Sequence, residues 1–151
     1  MRERKINLGE LMPIIEEKLA AGGEVLFSPN GTSMLPTLKA GRDTLVLVSP
    51  PIRLRKYDVA LFRRKNGQYV LHRVIAVGDT YTFIGDNQLE LEREIGDEDI
   101  IALCIAYERG GKRIRLDSFS KRAFARFWHF SRPLRRIYRK FVGKLRSVFK
   151  K

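Results

Sequence analysis

The chain has 151 residues, 44% of them hydrophobic and 31% charged, which fits one domain with a short appendage and excludes two full domains. Its longest stretch without a charge, residues 25–38, is 14 residues broken by Pro29, Asn30, Gly31 and Pro36, whereas a membrane-spanning helix needs roughly 20 apolar residues. The net charge of +13 is uneven: residues 1–111 hold 15 Lys/Arg against 16 Asp/Glu, and residues 112–151 hold 15 Lys/Arg against Asp117 alone. A near-neutral domain with a cationic C-terminal segment follows, and the two pose separate functional questions. The single cysteine, Cys104, lacks an internal disulfide partner, and no Cys or His spacing fits a zinc site, so neither structural metal nor cofactor is expected. A basic start followed by Glu10, Glu16 and Glu17 lacks the apolar centre of a secretory signal; the expected compartment is the cytoplasm.

Leu8, Leu11, Met12, Ile15 and Leu19 recur at spacings of three and four before Gly22-Gly23, predicting an amphipathic helix within residues 1–23, with Pro13 limiting where it begins. From Glu24 to Asp117 the pattern is mostly β: short runs at 24–28, 44–49, 58–63, 68–77, 80–84, 100–108 and 112–116. Asn66-Gly67, Gly78-Asp79 and Gly110-Gly111 separate pairs of these runs and predict three hairpins. The acidic patch 90–99 reads as a solvated loop. Beyond Asp117 the helical period returns. Phe119, Ala123, Phe127 and Phe130 share one face, with Phe124 and Trp128 beside them. After Ser131 and Pro133 a second stripe runs Leu134, Ile137, Tyr138, Phe141, Leu145, Val148 and Phe149, so residues 118–151 read as two cationic amphipathic helices joined at a bend.

Three positions could carry chemistry. Ser33 stands in a Gly- and Pro-bounded loop, where a nucleophile can be exposed beside free backbone N–H groups, although such a serine is commonly a turn residue. His72 shares a strand face with Val70, Val74 and Ala76, as a satisfied core histidine or as a base kept neutral by desolvation. Asp86 ends a strand, as an Asx-turn residue or as a partner for the histidine.

Taken in order, Gly31-Thr32-Ser33-Met34-Leu35-Pro36-Thr37-Leu38, Tyr57-Asp58-Val59-Ala60-Leu61-Phe62, Val70-Leu71-His72-Arg73-Val74-Ile75-Ala76-Val77 and Phe83-Ile84-Gly85-Asp86-Asn87 resemble the successive boxes of the signal peptidase and LexA-like serine peptidase superfamily, over about residues 24–110. The resemblance implies a LexA/signal-peptidase-like β domain in which Ser33 is the nucleophile, position 72 the general base and Asp86 the residue orienting that base. The base is usually lysine; His72 is similar to the endoplasmic-reticulum-type branch, and a neutral imidazole accepts a proton near pH 7 more readily than a lysine of reference pKa about 10.4. A peptide or leader substrate would extend along a strand edge, against Met34, Pro36, Val70 and Val74.

The chain departs from the family at four points. Gly31 stands where signal peptidases have an oxyanion-hole serine, a second aspartate after Gly-Asp-Asn is missing with Glu90 and Glu92 in its neighbourhood, and the following Gly-Asp pair is split as Gly41-Arg42-Asp43. No spanning segment accompanies the boxes. The alternatives are a catalytically inactive peptide-binding module and a LexA-like regulator. For the tail, packing on the β domain, nucleic-acid binding and attachment to an anionic membrane surface compete. The last uses both faces of the helices, and peripheral attachment to the inner face of the cytoplasmic membrane is the expectation.

Overall fold

β-branched and aromatic residues spaced two apart form strands wherever turn residues let the chain reverse, and the structure, a computed structural model describing residues 8–148, holds one 8-stranded sheet. Its strands are β1 (Val25–Phe27), β2 (Thr44–Val48), β3 (Val59–Arg63), β4 (Tyr69–Val77), β5 (Tyr81–Ile84), β6 (Glu92–Ile95), β7 (Ile100–Arg109) and β8 (Lys112–Arg115). All pairings are antiparallel, in the order β1-β2-β7-β3-β4-β5-β6, with β8 on β7 beyond the end of β3. The three expected hairpins are β3-β4, β4-β5 and β7-β8. Gly110 and Gly111 take φ of +56° and +75°, the left-handed pair that a two-residue turn between right-twisting strands requires.

The acidic patch is not a loop throughout: β6 pairs with β5, and a single 3-10 turn, Asp97–Asp99, follows it. Ile95 is buried beside Tyr81 and Phe83, and Glu92 pairs with Arg64, so this strand is held by its inward residues despite a surface-like charge pattern.

Residues of β3 point alternately to two cores. Val59 and Leu61 join the first, with Leu45, Leu47 and Tyr107; Ala60 and Phe62 join the second, with Val74, Tyr81 and Phe83. Helix α1 (Leu8–Ala20) lays Met12, Ile15 and Leu19 into the first core, so the N-terminal helix belongs to the β domain, and Pro13 lies inside it rather than at its start. Helices α2 (Phe119–Phe130) and α3 (Arg132–Val148) meet at Ser131, with Pro133 in the first turn of α3 as the sequence predicts. Residues 1–7 and Phe149 lie outside the described residues. Among those described, no helix is long and apolar enough to cross a membrane.

Candidate active site

The loop between β1 and β2 carries Ser33 and is clamped at several points. Met34 and Leu38 anchor it in the first core. The Ser33 carbonyl accepts the Asn87 N–H at 2.8 Å, and Asn87 Nδ2 donates to the Thr32 carbonyl at 3.1 Å. A Cβ at Gly85 would stand 2.7 Å from the Ser33 oxygen, so any side chain there would push the loop away. At the far end, buried Asp43 accepts from Arg42, from Arg109 and from the Lys39 amide, while Arg109 also donates to the Thr37 carbonyl at 3.3 Å. Burial alone would raise the Asp43 pKa, but these donors outweigh it and hold the carboxyl far below the usual range. The split Gly-Asp box therefore still braces the loop. Ser33 itself is partly exposed, and among the described residues neither its hydroxyl nor its amide makes a hydrogen bond.

His72 sits on β4 opposite Ala60, only 1% exposed, with its ring edge-on to Phe62 at 6.2 Å between centroids. Its Nδ1 lies 2.7 Å from Glu92 Oε1, at hydrogen-bond distance though not in hydrogen-bond alignment. Arg64 grips the same carboxylate with two bonds of 2.7 and 2.6 Å. Burial would raise the pKa of Glu92, but Arg64 and His72 together bring it down to about 2, so the group is an anion at neutral pH. The Glu92 carboxylate lies on the Nδ1 side of the ring, where an acid can orient an imidazole.

Asp86, which the resemblance implied would orient the imidazole, has other partners. Arg73 holds its carboxylate with two bonds of 2.8 Å, and the Thr37 hydroxyl donates a short bond to it. Arg73 also donates to the Tyr57 carbonyl at 3.0 Å. Asp86 is thus a buried strut joining three of the four boxes, and the acid beside the histidine is Glu92. Adjacent residues on a strand point to opposite faces: His72 and Arg73 cannot both face one carboxylate, and Arg73, fully charged and 4% exposed, has the stronger demand for it.

Ser33 and His72 line one cavity of about 280 Å³, together with Phe27, Asn30, Met34 and Val70. Of the expected substrate contacts, Met34 and Val70 line it. Pro36 is an exposed turn residue outside it, and Val74 is wholly buried in the second core. Strand β5 pairs with β4 only from Arg73 onward, so residues 69–72 leave one strand edge without a described partner beside this cavity. The free edge offers backbone groups to an extended chain, and the unbonded Ser33 amide is a donor next to the nucleophile position.

The chain matches no protein-family model, no curated protein and no solved structure.

The tail reaches this site from outside. Trp128 Nε1 and Arg135 donate to the Asp86 carbonyl at 2.6 and 3.0 Å, Arg135 stacks on the Trp128 ring at 4.1 Å, and Arg139 donates to the carbonyl of Asn87 at 2.8 Å. These donors satisfy carbonyls of the turn that clamps the Ser33 loop. Sequence reading did not find them, nor Glu92 and Arg64 as an ion pair. For Glu92 the signal was its place in the gap left by the missing second aspartate; scattered arginines give none.

Proposed function

We propose that the chain is a serine endopeptidase of the signal-peptidase-like and LexA-like type acting on a peptide or leader substrate. Ser33 Oγ attacks the scissile carbonyl, His72 takes its proton and returns it to the leaving amine, and water then releases the acyl group by the reverse proton path. Glu92 takes the part first assigned to Asp86, holding the imidazole and stabilising its charged form. The substrate adds to the free edge at 69–72, which sets its carbonyl beside Ser33. The compartment of this reading is the cytoplasm, at the inner face of its membrane.

What supports it is that Ser33 and His72 both line one cavity, with the Glu92 carboxylate 2.7 Å from His72 Nδ1. A second reading, a non-catalytic peptide binder or LexA-like regulator, draws on the lack of a Ser33–His72 hydrogen bond, although such bonds tighten in many enzymes only when substrate is bound. A peptide library incubated with wild type, Ser33→Ala and His72→Ala and read by mass spectrometry separates the two. Cleavage by wild type alone supports the peptidase; equal cleavage by all three, or binding without cleavage, rejects it.

A further inference from the structure

An amphipathic helix ordinarily turns its apolar stripe to the core. Here the opposite holds. Phe119 is 90% exposed, Phe127 and Phe130 68%, Leu134 70%, Ile137 65% and Phe141 63%, and these side chains form the outward stripes of α2 and α3. The inward side holds buried Ala125 and the half-buried Trp128, and Arg122, Trp128, Arg135 and Arg139 there bond backbone carbonyls of Lys56, Asp86 and Asn87. Packing on the β domain is thereby excluded as the use of the stripe, because the contacts that dock the pair point the apolar side away.

Residues 119–148 contain 10 Lys/Arg and no Asp or Glu. Several of these, Arg126, Arg136 and Lys140 among them, are exposed beside the apolar side chains. A second copy of the chain would set this unbroken cationic surface against itself. A nucleic-acid backbone would satisfy the charge and leave Leu134, Ile137 and Phe141 in water. A surface with anionic headgroups above a hydrocarbon layer accommodates both, at the depth such side chains reach.

We propose that the outward face of α2 and α3 binds an anionic phospholipid surface, lying in its plane with the phenylalanine, leucine and isoleucine side chains inserted. This surface stands apart from the peptidase chemistry but borders its site. Arg64 and Gln88 line both the Ser33–His72 cavity and the adjoining cleft that Arg139 of α3 also lines, so a bound protein would hold that cavity close to the lipid.

The test is co-sedimentation of the full chain with vesicles of phosphatidylglycerol and phosphatidylcholine, and of phosphatidylcholine alone. One variant carries Phe127→Ser and Phe141→Ser, and another Arg126→Glu and Lys140→Glu; all four positions are exposed, so folding, checked by circular dichroism, is expected to persist. Wild type should bind the anionic vesicles and not the neutral ones. Each double variant should lose at least about tenfold in affinity, since two buried phenylalanines, or two reversed charges, are worth more than that factor. Absence of binding to anionic vesicles overturns the proposal, whether or not duplex DNA binds in a parallel titration. So does binding that survives the phenylalanine substitutions unchanged, or a dimer that buries the face in sedimentation without lipid.

Discussion

Helices α1 and α3 share the same sequence rule and have opposite fates. Both repeat apolar residues every three or four positions, yet Met12, Ile15 and Leu19 of α1 are 2%, 6% and 3% exposed, while Leu134, Ile137 and Phe141 of α3 are 70%, 65% and 63% exposed. The difference lies in the flanks. Helix α1 carries mixed charge, lies against β1 and joins the first core with residues of β2 and β7, whereas α3 is flanked by cations whose docking partners are loop carbonyls. Periodicity thus fixes that a helix has an apolar face and leaves open what covers it.

The largest effects should fall on the buried side. Removing Asp86 leaves Arg73 buried without its carboxylate, so Asp86→Ala should cost roughly 3–5 kcal/mol in urea unfolding. Leu19→Ala in α1 should cost about 2–5 kcal/mol. The same measurement on Ile137→Ser in α3 should show a change within about 0.5 kcal/mol. A loss at Ile137 as large as that at Leu19 would mean that α3 packs by its stripe after all, and would break the contrast.

Acid sharpens the comparison within the β domain. The Glu92 carboxyl titrates near 4.5 when free and at about 2 in the folded chain. Its contribution is therefore fully present above pH 4.5 and is lost as pH falls from there toward 2, a loss of at most on the order of 3 kcal/mol. Glu92→Gln should be less stable than wild type at pH 7, and the gap should narrow at pH 3. A constant gap would separate Glu92 from the Arg64 and His72 contacts.

The sheet was legible because its cues are local: each hairpin turn carries Gly with Asn, Asp or a second Gly, and strands alternate around them. β6 was missed because Glu92-Arg93-Glu94-Ile95 owes its place to tertiary partners, Arg64 and the core around Tyr81. In the site, Ser33 and His72 were readable as residues and the cavity they share was implied by their boxes. Asp86 bonds Arg73 and not the imidazole for a physical reason that sequence spacing hides: Arg73 reaches it from the opposite face of the same strand. The grip of α2 and α3 on the Asp86–Asn87 turn was not legible at all, since it is made by arginines to backbone carbonyls, which no side-chain pattern announces.

The most direct test of the account takes one cleaved peptide and four variants, with kcat and unfolding midpoint measured on the same preparations. Ser33→Ala and His72→Ala should fall to background, and Glu92→Gln should stay folded while losing about 10²- to 10⁴-fold in kcat. Asp86→Asn should be less stable yet near wild type per folded molecule. A folded, inactive Asp86→Asn beside a fully active Glu92→Gln would contradict it.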